Sequence, residues 1–240
     1  MRKLILDIGN TRTKAAVFEG ESLLEHLTVT GSTTDRLEAL VRLFGPFHST
    51  MISSVSGEEP ELDENSFGKI VRVRGGLRLP VKVTYKTPES LGADRLANAV
   101  GAWHLNPGRN SLVIDTGTCI KYDLITADGC YPGGIISPGI GMRFKALHKF
   151  TGKLPALKHN GLIPSLTGQS TDGSIRSGVV NGAIAEAEGL TFRFSEEYNP
   201  LDIILTGGDA GLFEGTLKSP IFVAPHLTLT GLKVILDHND

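Results

Sequence analysis

Leu112-Val113-Ile114-Asp115-Thr116-Gly117-Thr118, followed by Ile120-Lys121-Tyr122-Asp123-Leu124-Ile125, repeats a pattern already written near the start of the chain. There Leu4-Ile5-Leu6-Asp7-Ile8-Gly9-Asn10-Thr11 leads into Thr13-Lys14-Ala15-Ala16-Val17-Phe18. Each copy reads as a buried strand ending in Asp-x-Gly, a tight turn and a second strand. A hairpin turn then follows, Glu19-Gly20-Glu21 in one copy and Ala127-Asp128-Gly129 in the other. Asp7 and Asp115 stand 108 positions apart in a chain of 240 residues. A spacing of nearly half the chain points to two similar α/β halves with mixed sheets, not to a short solenoid repeat. The boundary is expected near Pro107-Gly108, giving domains 1–108 and 109–240.

The segments around these copies fit the same division. Thr33-Thr34-Asp35 caps a predicted helix whose Leu37, Leu40, Val41 and Phe44 fall on one face. Met51–Val55 and Lys69–Val73 read as strands, and Thr87-Pro88-Glu89-Ser90 is expected to open a helix reaching about His104. A long helix from about Thr171 to Tyr198 precedes the strand Asp202–Thr206 and a helix after Gly207-Gly208.

Composition narrows the function. Lys and Arg number 24 against 26 Asp and Glu, a formal charge of −2, with no basic stripe. A protein that neutralises several nucleic-acid phosphates carries a basic excess, so nucleic acid is not an expected partner, and electrostatic membrane attachment fails likewise. No apolar run approaches the roughly 20 residues of a membrane helix. Asp7 stands where a signal peptide would continue its apolar core, so a cytoplasmic location is expected. Cys119 and Cys130 show no metal-ligand spacing and read as small, partly buried side chains or a strand pair. The seven histidines show no pairing.

The 29 glycines gather where chemistry is expected: Gly9, Gly117, Gly133-Gly134 through Gly141, and Gly207-Gly208. Strand, tight glycine turn, then strand or helix brings backbone N–H groups close to an anion. Neither a Walker A loop nor a Gly-x-Gly-x-x-Gly turn is present. The two Asp-x-Gly turns and Leu205-Thr206-Gly207-Gly208-Asp209 are therefore the phosphate-site candidates, with Thr11, Thr13 or Thr118 as donors and Lys14 as added charge. A bare carboxylate would repel a phosphate, so Asp7 and Asp115 require a cation or an ordered water in between.

On these residues the chain resembles the acetate and sugar kinase, Hsp70 and actin superfamily. More narrowly it resembles the type III pantothenate kinases. The narrower likeness rests on Asp7–Thr11, Ser53-Ser54-Val55, Ser90-Leu91-Gly92-Ala93-Asp94-Arg95-Leu96-Ala97-Asn98-Ala99 and Asp115–Thr118, with Tyr131–Gly139 and Gly207-Gly208-Asp209 completing it. The Gly-Ala-Asp-Arg stretch is the most specific piece.

The resemblance implies two duplicated ribonuclease H-like or actin-like domains closing on an ATP cleft. Asp7, Ile8, Gly9, Asn10, Thr11, Arg12, Thr13 and Lys14 would form the first ATP phosphate loop, and Thr118 a second contact. Tyr85, Gly92, Ala93, Asp94, Arg95 and Thr171 would hold pantothenate, with Asp94 as proton acceptor. Asp115 would bind a monovalent cation, K⁺ or NH₄⁺, and Asp7 would help anchor Mg²⁺. Members are homodimers. The implied reaction carries the γ-phosphoryl of ATP to pantothenate, giving 4′-phosphopantothenate, the first step of coenzyme A synthesis. Cys119 departs from the pattern, standing where the family more often has a residue such as alanine.

The residues alone leave alternatives open. Asp94 and Asn98 share a helix face, which serves proton transfer or a simple Asp94–Asn98 hydrogen bond. Ser174, Gly178 and Gly182, with Gly189 beyond, form a small-residue row suited to a dimer helix or to packing on the sheet. A non-catalytic nucleotide-binding regulator and a phosphohydrolase of the same superfamily are the rival functions.

Overall fold

In the computed structural model, residues 1–9, 12–29, 34–54, 60–74, 76–217 and 220–240 are described. Asn10, Thr11, Thr33 and Val55 lie outside them. The chain forms two compact units, Met1–Leu105 with His226–Asp240, and Asn106–Pro225. The first contains β1 (Arg2–Ile8), β2 (Thr13–Glu19), β3 (Ser22–Val29), α1 (Thr34–Phe44), β4 (Ser49–Ser54), the one-turn α2 (Glu64–Phe67), β5 (Lys69–Arg72), the two-residue β6 (Lys82–Val83) and α3 (Ala93–Leu105). The second contains β7 (Asn110–Thr116), β8 (Cys119–Ile125), the two-residue β9 (Cys130–Tyr131), β10 (Gly133–Pro138), α4 (Ile140–Lys149), α5 (Thr171–Glu197), β11 (Leu201–Thr206), the one-turn α6 (Ala210–Phe213) and β12 (Ile221–Val223). Helix α7 (Leu227–Asp237) ends the chain.

The echo in the sequence becomes an echo of topology. One sheet runs β3-β2-β1-β4-β5 and the other β10-β8-β7-β11-β12. In both, the first three strands are antiparallel and the last two add in parallel. Leu4 and Leu6 of β1 share a core with Leu37 and Leu40 of α1. Ile5 points the other way, as strand alternation requires, and is also fully buried. In the second unit Leu112, Ile114, Ile120 and Tyr122 pack under Phe144 of α4 and Val179, Val180 and Ala183 of α5. Each such fully buried aliphatic side chain contributes roughly 1.5–3 kcal/mol.

Two expectations are revised. Residues 226–240, assigned by the sequence to the second half, pack in the first unit. Helix α7 lies on β1, β2 and β4 and crosses α3 closely. At that crossing a Cβ on Gly231 would stand 1.8 Å from the Ala97 carbonyl oxygen. Thr228 Oγ1 donates to the buried Asn98 Oδ1 at 2.8 Å. Lys3 Nζ meets Asp237 at 2.9 Å and Asp240 at 2.5 Å, which ties the chain end to β1.

The second revision concerns α3, which starts at Ala93 and not at Thr87. Pro88–Ser90 forms a separate 3-10 turn, and Leu91 is extended with ψ 123°. The chain re-enters a helix when the Gly92 carbonyl accepts from Arg95 N and Leu96 N, both at 3.1 Å. This break moves Asp94 from mid-helix into the first turn.

Candidate active site

The break before α3 shapes the first cluster. Asp94 Oδ1 accepts from the Arg95 backbone N–H at 2.9 Å. A Cβ on Gly92 would come within 2.7 Å of that same oxygen, so the glycine leaves the carboxylate its place. The first turn of a helix, with its unpaired N–H groups, favours a negative charge there. Arg95 is 5% exposed, and its guanidinium lies 5.7 Å from the centre of the Tyr85 ring. Tyr85, Gly92, Ala93, Asp94 and Arg95 thus form one neighbourhood. Asn98, expected to share a face with Asp94, is fully buried and engaged by Thr228 of α7.

The first Asp-x-Gly turn is closed by the Gly9 amide donating to the Arg12 carbonyl at 3.0 Å. Asp7 and Ile8 face Lys14 and Thr13 across the β1–β2 ladder. Asp7 also neighbours Ser53 in the parallel β4, and the Ser53 hydroxyl donates to Asp7 Oδ1 at 3.2 Å. Arg12 is exposed, Lys14 half-buried and Thr13 buried. Lys14 is close enough to His226 to help hold its imidazole below the ordinary value, after burial and the charge of His26. Among the described residues no group of three or more His, Cys, Asp or Glu could hold a metal unaided. Mg²⁺ at a nucleotide asks for less, one or two carboxylates completed by phosphate and water, and the Ser53-oriented Asp7 fits that demand.

In the second unit three glycine motifs converge. The Gly117 amide donates to the Cys119 carbonyl at 3.0 Å and closes the Asp115–Thr118 turn. The Gly139 amide donates to the Thr118 carbonyl at 3.1 Å, and a Cβ on Gly139 would lie 2.3 Å from the Gly117 oxygen. From the other side Gly207, at φ +99°, approaches Thr116 so closely that a Cβ would sit 2.5 Å from its backbone N and O. The Asp209 amide donates to the Thr116 carbonyl at 2.9 Å. Burial pushes the Asp209 carboxyl above its ordinary value, partly offset by His159. Thr118 is exposed on this platform.

The platform is braced from below. Glu186 of α5 accepts from Tyr122 at 3.1 Å, from Ser137 at 3.0 Å and from Arg143 at 2.6 Å. Burial and Glu186 hold the Tyr122 hydroxyl well above its ordinary range, so it remains a donor. Arg143 also donates to the Pro138 carbonyl at 2.8 Å, which fixes the approach to Gly139.

Asp115 meets a cation within the chain. Its Oδ2 lies 2.7 Å from Lys121 Nζ, with the two side chains 13% and 14% exposed. A carboxylate already neutralised by a lysine does not fit a free K⁺ or NH₄⁺ ion at that oxygen. Thr171 is the exposed first residue of α5, next to the capping Ser170, which accepts from Gly173 N at 3.1 Å. Sequence reasoning missed Lys121 as a site residue, and it singled out Ser53, Gly139 and Asp209 only as members of motifs, without roles of their own. Lys121 carried a signal in its antiparallel register opposite Asp115.

The family model for type III pantothenate kinase matches residues 3–193. The chain belongs to the type III pantothenate kinase family. A type III pantothenate kinase of Cytophaga hutchinsonii is 42% identical over 236 residues, covering 98% of this chain and 99% of the relative. One of Phocaeicola vulgatus is 43% identical over 241 residues, covering 99% and 98%. The kinase phosphorylates pantothenate with ATP in coenzyme A biosynthesis.

Solved structures carry the fold further afield. The kinase matches the activator of 2-hydroxyisocaproyl-CoA dehydratase from Clostridium difficile at TM-score 0.59 and 16% identity, over 100% of this chain and 96% of that one. It matches a glucokinase from an Antarctic psychrotroph at TM-score 0.53 and 13% identity, over 100% and 99%. These are actin-like ATPase folds, as the family resemblance implied. None of the kinase's described helices is long and apolar enough to cross a membrane.

Proposed function

We propose that Asp94 is the proton acceptor of this pantothenate kinase and that the two Asp-x-Gly turns hold the phosphates of ATP. The observation that carries the proposal is the Asp94 carboxylate in the first turn of α3, over Gly92 and beside Arg95 and Tyr85. Arg95 offers a planar fork to the pantothenate carboxylate, with Tyr85 steadying the guanidinium and Thr171 adding a hydroxyl contact. Asp94 accepts the proton as the substrate's primary hydroxyl oxygen bonds to the γ-phosphorus. The bond from that phosphorus to the β-phosphate bridging oxygen breaks, and ADP leaves with its electrons.

Residues 7–14, Asn10 and Thr11 included, cradle one part of the triphosphate, and Thr118 on its glycine platform another. Asp7, oriented by Ser53, would anchor Mg²⁺, which when bound draws charge from the phosphate oxygens. No step is routed through a monovalent ion at Asp115. A cytoplasmic location is part of the same reading, since the reaction consumes ATP.

The test is ATP-dependent formation of phosphopantothenate by wild type and Asp94→Asn. Loss of a general base lowers kcat roughly 10²–10⁴-fold, with a smaller effect on ATP affinity. Unchanged turnover would remove Asp94 from the role, and phosphate release without pantothenate would point to a hydrolase.

The dimer belongs to this proposal as well. Gly178, Gly182, Ala185, Gly189 and Phe192 of α5 are all exposed and fall on one face. A Cβ on any of the three glycines meets nothing within 4 Å inside the chain. Such a stripe lets a second helix approach closely. Gly182→Leu should leave the monomer folded and shift sedimentation from dimer to monomer; a variant that sediments as wild type would move the interface elsewhere.

A further inference from the structure

Asp115 ends β7 directly opposite Lys121 of β8 in an antiparallel register. Side chains so placed stand on one face with Cβ atoms roughly 4.5–5.5 Å apart, within easy reach of a lysine. The ammonium sits 2.7 Å from Asp115 Oδ2, and neither side chain is more than 14% exposed. The carboxylate's charge is therefore met within the chain, at the rim of the turn whose Thr118 is assigned to phosphate. A phosphate site beside a bare carboxylate needs a positive charge in between. We infer that Lys121 is that charge, a tethered monovalent cation, and that this kinase turns over without free K⁺ or NH₄⁺.

The inference rests on the reading of the Asp115 turn as a phosphate site. An ammonium matches K⁺ in charge and approximates it in size. Held on the neighbouring strand, it meets the carboxylate as an intramolecular partner, at an effective concentration fixed by the fold. A free cation would have to displace it or sit against a like charge. Because the pair is mostly withdrawn from water, bulk salt screens it weakly. Lys121 is thus a positioning residue that sets the charge of the turn; it does not take the transferred group.

The experiment compares wild type and Lys121→Ala in choline, sodium, potassium and ammonium chlorides at equal ionic strength. Two readouts are taken, phosphopantothenate formation and the melting temperature of the protein without substrate. Wild type should show the same kcat in all four salts and no K⁺-specific rise in melting temperature. Lys121→Ala should lose on the order of 10²-fold in kcat in choline. Potassium or ammonium chloride should restore at least about tenfold of that loss and raise the variant's melting temperature over choline, as binding to the folded state requires. Wild-type turnover that needs K⁺, or an alanine variant as active as wild type in choline, overturns the inference. If the variant does not fold, the wild-type salt series decides. Absence of phosphopantothenate in every salt would defeat the kinase reading, while the melting series would still report on the cation.

Discussion

At the end of β1 the Gly9 amide reaches forward to Arg12, whereas at the end of β7 the Gly117 amide reaches only to Cys119. The two turns share a strand frame and a cross-strand Asp–Lys pair, Asp7 with Lys14 and Asp115 with Lys121. The tighter second turn shortens the step from acid to lysine by one residue. Their surroundings differ more than their frames. Asp7 is met by a hydroxyl from the parallel strand, Ser53, while Asp115 is met by the ammonium of Lys121. A duplicated frame therefore carries two electrostatic solutions. The Ser53 hydroxyl orients the first carboxylate, and the Lys121 ammonium neutralises the second.

The sharpest way to break the comparison is sterically, at the glycines around the second turn. Gly139→Ala would drive a methyl group into the Gly117 and Thr118 carbonyls, 2.3 and 2.4 Å away. It should cost about 3 kcal/mol by urea unfolding. Gly117→Ala, whose Cβ would meet Asp115 Oδ1 at 3.8 Å and Cys119 O at 3.9 Å, should stay within about 1 kcal/mol of wild type. A tolerant Gly139 would mean that the platform is not built on that contact.

A smaller effect separates the lysines. Lys14→Ala should lower kcat/KM for ATP severalfold and show no rescue by K⁺ in the salt series. Rescue there would mean the two turns handle their carboxylates alike.

The smallest effect is in pH dependence. Burial raises the Asp209 carboxyl above 3.8, so the folded state holds that proton more tightly than the unfolded chain. Ionising it therefore opposes folding, and stability falls as pH rises from 3.8 through the raised value. Asp209→Asn should be slightly more stable than wild type at pH 7, the difference closing as pH falls towards 3.8. Urea midpoints along a pH series would measure it, and a constant difference would assign the effect to packing.

The glycines also show where reading a sequence runs out. The row in α5 was legible because its spacing is regular, and its open face suits a partner helix. Gly101 and Gly231 belong to different parts of the chain, and their common purpose, letting α3 and α7 touch, has no local signature. Arg95 read as a polar residue facing substrate, and its near-complete burial beside the Tyr85 ring is a property of packing that the sequence did not announce. Asn98 read as a companion to Asp94, and the structure adds Thr228, a partner 130 residues away that no local pattern announces.

By itself the sequence determined the duplicated strand-turn-strand halves, the family, and the candidacy of Asp94 and of the two acidic turns. Strand alternation, glycine turns and short motifs are local, so neighbouring residues suffice to announce them. Only the tertiary structure decided that the last fifteen residues return to the first unit and that α3 starts at Ala93. It also decided that Gly139 and Gly207 close upon one turn, and that Lys121 rests on Asp115. These outcomes depend on register and on contacts between distant segments, where burial and charge are settled by what packs alongside.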